Sequence, residues 1–320
     1  MDHALLARNG DALLDGTLWV PGAHAGPPVA LLTMHPGSGP SDRDNDVFFP
    51  PIRDALLNAG IAVASFDKRG VGGSSGSWLD IGIEEQAQDL LAGHAAAAAL
   101  VPGVPAGVFG HSQGGWVVLE ALRQSRSELS ETPSPAFGVT SSGPGVSTTA
   151  QERFAAEGSV VRLSDDAHVQ ARARQAAWTV LAMLEAGDSH ADLLTWADEP
   201  GNADDVELVR RLYGNDLFDQ AVWDHFVRLS AFDPVPAMDA VDVPLLAVFG
   251  SRDTVTPVEA SVAALRTHVR PDLLRNAVIP DGNHRLQQPH TGDFVPGYPD
   301  VIVDFITTRS AALTPRTKGV

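Results

Sequence analysis

Residues 106–124 read AGVFGHSQGGWVVLEALRQ. A short apolar run, AGVF, leads into Gly110-His111-Ser112-Gln113-Gly114, and an amphipathic run, GWVVLEAL, follows at once. This is a G-x-S-x-G pentapeptide set between a predicted strand and a predicted helix, which is the context that gives the motif meaning. A turn this sharp holds Ser112 exposed and strained at its tip. Glycines flank it because the strand and helix backbones nearly touch there. The plainer reading is an ordinary glycine-rich βα turn, and the strand–turn–helix context weighs against it.

Outward from this turn the chain alternates. Residues 29–34 (VALLTM) and 61–66 (IAVASF) are short apolar runs bounded by Pro and Gly, and both predict buried strands. Residues 49–59 stop at Gly60 and predict a helix with a C-terminal glycine. Residues 83–100 are Ala-rich, open on Glu84 and Glu85, and predict a second helix. Residues 114–124 predict a third, and 136–140 another strand. This order predicts a parallel sheet covered by helices on both faces.

Between 146 and 240 the pattern changes. No strand pair is evident, and amphipathic helical stretches occur at 167–186 and 204–213. The span carries 17 acidic and 7 basic side chains, over half of the chain's net charge of −18. It reads as a helical cap inserted between two parts of one core, residues 1–145 and 241–320. The alternation resumes with VPLLAVF at 243–249, a helix over 257–269, a strand near 274–279 and a last helix at about 299–309.

Composition narrows the function. A chain of 320 residues, 44% hydrophobic, can bury a large core. The absence of cysteine excludes disulfides, thiolate metal sites and a cysteine nucleophile. Net charge −18 repels phosphate backbones and anionic bilayers, so neither nucleic acid nor membrane is an expected partner. The first residues, MDHALLARNG, lack a basic start with a long apolar run, and the least polar stretch, 90–109, is interrupted by His94, Pro102 and Pro105. A soluble, cytoplasmic protein is expected, and a homodimer is compatible with the sequence.

A serine hydroxyl attacks well only when a base takes its proton. On this scaffold the partners follow in the order Ser, acid, His. Gly250-Ser251-Arg252-Asp253 follows the run VPLLAVF, and Asp281-Gly282-Asn283-His284 follows the next predicted strand. Asp253 and His284 are therefore the candidate acid and base, at the sheet edge where open α/β sheets place their sites. Asp281 is a rival acid. The plainer readings are a turn or helix-cap acid for Asp253 and a surface-loop histidine for His284. Acyl transfer also needs donors for an oxyanion. The backbone N–H of Gln113 is one candidate. The other lies in the loop His35-Pro36-Gly37-Ser38-Gly39-Pro40-Ser41-Asp42-Arg43-Asp44, with Ser38 favoured and Gly37 second.

Other chemistries fit less well. The run GVGGSSG at 70–76 is one residue out of register for a dinucleotide loop, and neither a P-loop nor H-E-x-x-H is present. His35, His111 and His284 are candidates to cluster, yet no metal or other cofactor is expected. Trp178, Met183, Trp196, Tyr213, Trp223 and Phe226 in the insertion read as core, with some lining a substrate pocket.

Together HPGSGPSDRD, FDKRGVGGSSG (66–76), GHSQGG, GSRD and DGNH resemble the α/β-hydrolase superfamily. More narrowly, they resemble bacterial serine esterases with a Gly-Ser-Gly-Pro-x-Asp-Arg-Asp loop. The resemblance covers 12–145 and 241–310. It implies the α/β-hydrolase fold, a Ser112–Asp253–His284 triad and a helical cap after the sixth strand. It also implies cleavage of a carboxylic ester, or a related acyl bond, of a small molecule through an acyl-enzyme. Pro36 stands where many relatives read His-Gly, which bears on the second oxyanion donor. Asp67-Lys68-Arg69-Gly70 resembles the family's turn after the following strand, with Arg69, Asp42 and Arg43 tying loops together. The same triad also serves acyltransferases, thioesterases, lactonases, amidases and peptidases, in specialised metabolism among other settings, and a ligand-binding member of low turnover would keep the same pocket.

Overall fold

Apolar runs with no polar face require cover on both sides, and the computed structural model supplies it. It describes residues 2–22, 25–126, 133–288 and 291–313. Strands Ala30–His35 (β3), Ile61–Phe66 (β4) and Leu245–Gly250 (β7) are buried along their whole length. They join Asp2–Asn9 (β1), Ala12–Trp19 (β2), Ala106–His111 (β5), Gly138–Ser141 (β6) and Leu274–Ile279 (β8) in one sheet of order β1-β2-β4-β3-β5-β6-β7-β8. β3 to β8 run parallel, while β1 and β2 pair antiparallel and β2 joins β4 antiparallel.

Successive residues of a strand face opposite layers. In β3, Leu32 and Met34 face one layer with helices Phe49–Asn58 (α1) and Tyr298–Leu313 (α11), where Phe49, Ile52, Ile302 and Phe305 are buried. The opposite layer holds Ile83–Leu100 (α2), Gln113–Gln124 (α3) and Val258–His268 (α10), packed on Val108, Ala247 and Phe249. The connections after β3 and β5 therefore leave on opposite faces. A crevice opens between them at the carboxyl ends of the strands, the usual place for a site in such sheets.

The antiparallel hairpin β1–β2 is absent from the sequence reading. Leu5 and Ala7 alternate inward, but Leu6 points outward and is 62% exposed, which blurs the period of two. Gly10, at a φ of 56°, closes the turn.

Between β6 and β7 stand Thr148–Leu163 (α4), Ala167–Ala186 (α5), His190–Asp198 (α6), Ala203–Tyr213 (α7) and Gln220–Ser230 (α8). Side chains of Ser147, Asp166, Ser189 and Asp219 accept from the first-turn N–H groups of α4, α5, α6 and α8. The helices share an apolar centre of their own around Val160, Val180, Leu193, Val209 and Trp223. The short helix Val235–Asp239 (α9) instead buries Ala237 and Met238 in the layer with α3 and α10. Among the described residues no helix is long and apolar enough to cross a membrane.

Candidate active site

The turn between β5 and α3 is as tight as the pentapeptide implies. Ser112 has φ 54° and ψ −122°, a strained conformation for a residue with a Cβ. Its N–H donates to the carbonyl of Ser141 at 2.9 Å, and its own carbonyl accepts from Gly115 N–H at 2.8 Å. A methyl at Gly110 would lie 1.9 Å from the Gly114 carbonyl oxygen. One at Gly114 would lie 2.7 Å from that of Pro36. Both obstacles are backbone, so neither can swing aside. Gly114→Ala is expected to cost about 1–3 kcal/mol or more by overpacking. Urea unfolding measures it, and a variant within about 0.5 kcal/mol of wild type would contradict the contact.

β7 and β8, beyond β6 from β5, run parallel to it, end at the same edge of the sheet and deliver the next two groups. Asp253 is buried, and its Oδ1 accepts the N–H groups of Val255 and Thr256, each at 2.8 Å. Its Oδ2 lies 2.9 Å from His284 Nδ1, and His284 Nε2 lies 2.9 Å from Ser112 Oγ. With the carboxylate accepting, Nδ1 carries the proton and Nε2 is free to accept from the serine hydroxyl. The rival Asp281 points away and pairs with Arg252 at 2.6 Å on the surface.

The neighbouring histidines have other roles. His111 is buried, its Nδ1 lies 3.1 Å from the Ser141 carbonyl, and its ring packs 4.2 Å from Phe48 and 5.2 Å from His284. Burial, with the nearby His284 and Arg285, pushes its pKa well below the ordinary value, so it stays neutral and donates through Nδ1. His35 meets Gln86 instead, and burial with nearby Lys68 lowers it to about 3.

The loop after β3 lies over the serine. A Cβ on Gly37 would sit 3.4 Å from that of Ser112. The Gly37 carbonyl accepts from Lys68 Nζ, so the Gly37–Ser38 peptide turns the Ser38 N–H away from the lysine. Neither that N–H nor the N–H of Gln113 donates to another group among the described residues. Arg43 anchors the loop from below through Asp67 at 2.6 Å, Asp15 and Thr17, while Arg69 holds Asp89 at 2.7 Å. The GVGGSSG run wraps Asp67, whose Oδ2 accepts from Gly73 N–H at 3.2 Å. Arg43 holds the Asp67 carboxyl below its usual range against the opposing effect of burial.

Two spaces meet at Ser112 and Ser38. One is an open polar groove of about 440 Å³ beside Ser41, Asp42, Asn45, Asp46 and Arg285. The other is a cavity of about 340 Å³ beneath the inserted helices, walled by Trp116, Val180, Leu181, Leu184, Leu217 and Leu229. Of the six large side chains singled out in the insertion, Tyr213 and Phe226 reach this cavity, and Trp223 is buried in the insertion's own core. Sequence reasoning missed Glu152, His225 and Trp78, which also line it. Glu152 is one acid among many in an acidic span, and nothing local marks it.

The sheet order, the strained serine after β5 and the helices on both faces define the α/β-hydrolase fold. The family model described as serine aminopeptidase, S33, matches residues 47–197. That span contains Ser112 and Gln113, while Asp253 and His284 lie beyond it. Solved structures of the same fold include an esterase of Pyrococcus furiosus, 18% identical with TM-score 0.59 over 98% of this chain and 91% of that one. The α/β hydrolase GrgF of Penicillium sp. sh18 is 17% identical with TM-score 0.61, covering 97% and 99%. The proline iminopeptidase of Mycobacterium smegmatis is 19% identical with TM-score 0.57, again over 97% and 99%. No curated protein matches the chain.

Proposed function

We propose that the protein is a serine hydrolase that cleaves a carboxylic ester through an acyl-enzyme. The observation that carries this reading is the continuous hydrogen-bonded chain from Ser112 through His284 to Asp253. Ser112 Oγ attacks the carbonyl carbon as His284 Nε2 takes its proton. Asp253 keeps the imidazole oriented and stabilises its charged form. The N–H groups of Gln113 and Ser38 hold the oxyanion. Collapse expels the alcohol, which receives the proton from His284. A water deprotonated by His284 then releases the acid. The inserted helices act as a cap, the apolar cavity beneath them takes the acyl half, and the alcohol occupies the polar groove.

A panel of esters, thioesters, lactones and amides tests the reaction class, and a fluorophosphonate tests the nucleophile. Ester turnover and a single label on Ser112 are expected. A label mapped elsewhere, or turnover confined to amides, would reject the proposal.

One observation favours a second reading, cleavage next to an amine-bearing group. Glu152 lines the cavity without a hydrogen-bond partner among the described residues, and burial pushes its carboxyl up to about 7. Tyr213 lines it too, with a buried hydroxyl that has no partner among the described residues. Under this reading, KM for an ester or amide carrying an ammonium group falls as pH rises through about 7, because Glu152 then becomes a carboxylate. Glu152→Gln would flatten that pH dependence and leave neutral esters unaffected. A wild-type KM independent of pH from 6 to 8 would dismiss this second reading.

A further inference from the structure

Lys68 follows β4 in the charged turn Asp67-Lys68-Arg69-Gly70, yet it is only 6% exposed. Its Nζ donates to the Gly37 carbonyl and, at 3.2 Å, to Gln113 Oε1. No carboxylate pairs with it among the described residues. Its backbone is engaged as well, its N–H donating to Ser41 O at 3.1 Å. The titratable groups that face it are His35, from β3, and His225, from α8. Both are held neutral by burial first and the nearby Lys68 second, to about 3 and about 4, so neither adds a second positive charge, and an imidazole supplies no negative one.

A buried cation without a counter-ion is a costly thing to keep for packing alone, because an apolar side chain of similar length would fill the space. Its two acceptors explain its presence. One is the carbonyl of the peptide whose N–H is that of Ser38, the other is the side chain of Gln113, and the N–H groups of Ser38 and Gln113 donate to no other group among the described residues. Gripping the Gly37 carbonyl fixes the plane of the Gly37–Ser38 peptide, and hence where Ser38 N–H points. Gripping the Gln113 side chain pins the first residue of α3.

We infer that Lys68 is the positioning residue of the oxyanion hole, one ammonium group setting the spacing of its two backbone donors from behind. The inference rests on the serine-hydrolase reading. Its field also favours negative charge in front of those donors, in a site where rearranging dipoles during reaction would be slow and costly. Burial draws the ammonium down to about 7, as expected for a cation solvated only by neutral oxygens.

Lys68→Met tests this, with an ester substrate and with a trifluoromethyl ketone. Ser112 Oγ adds to the ketone carbon, its proton passes to His284, and the former carbonyl oxygen becomes an oxyanion in the hole. A roughly 10²-fold fall in kcat, comparable to losing one donor, is expected. KM should stay within about threefold, and ketone affinity should fall in parallel with kcat, because only the tetrahedral state uses the hole. A kcat within about threefold of wild type, or a lowered kcat with unchanged ketone affinity, would overturn the assignment. If Lys68→Met does not fold, Gln113→Met decides, since it removes one acceptor and keeps the lysine and both N–H groups. A roughly tenfold loss with the same signature supports the inference, and wild-type kcat overturns it. Ser112→Ala run alongside separates the two levels. Retained turnover there defeats the hydrolase reading itself, whereas a silent Lys68→Met defeats only the role of the lysine.

Discussion

Ser112→Ala is expected to lower ester turnover by roughly 10⁵–10⁶-fold while leaving KM near its wild-type value. The serine supplies the only hydroxyl hydrogen-bonded to His284 Nε2 among the described residues. Without it the imidazole could still activate water, but no acyl-enzyme would form, and the two donors would act on a less well-placed nucleophile. The substitution should not disturb the fold. Alanine keeps the Cβ, so the strain at φ 54° is unchanged, and the N–H bond to Ser141 and the carbonyl bond from Gly115 involve backbone only. Thermal unfolding alongside steady-state kinetics checks both halves. A variant retaining a tenth of wild-type turnover would show that another group attacks.

Asp253→Asn should cost about 10⁴-fold, because it reverses a proton without moving an atom. The two backbone donors, Val255 and Thr256, fix one oxygen of the side chain as an acceptor. An asparagine must therefore turn its amide oxygen toward them and its NH₂ toward His284. That forces Nδ1 to accept and moves the imidazole proton to Nε2, where it faces Ser112 Oγ and cannot receive the serine's proton. Asp253→Ala should be less damaging than this mechanism alone predicts, since water could then reach Nδ1. An asparagine variant as active as wild type would mean that the carboxylate does not set the tautomer.

The contrast between these residues and the ones sequence reasoning missed has a physical basis. Ser112 was legible because its signal is local, a strand, a turn and a helix within a few residues. Asp253 and His284 followed because parallel strands deliver their C-terminal loops to one edge, so two strand ends suffice to find them. The hairpin β1–β2 was not legible. It buries one face only, and the outward Leu6 masks the alternation. The strand expected over 136–140 begins two residues later in the structure, because Phe137 is buried like a strand residue while pairing begins at Gly138. Lys68 carries no signal at all. In Asp67-Lys68-Arg69-Gly70 it is one charge among three, and its burial comes from the loop over 36–44, the start of α3 and α8, all distant in sequence. Glu152 is alike, since its surroundings come from α5, α7 and α8, distant in sequence.

Ser112 stands where an apolar chamber beneath the inserted helices and a more open polar groove join. With the acyl half inside the chamber, the first product can depart and the hydrolytic water arrive by the groove, without the second product stirring. Selectivity should accordingly be lopsided, strict toward the acid, whose bulk the chamber caps, and lenient toward the alcohol, which projects into solvent.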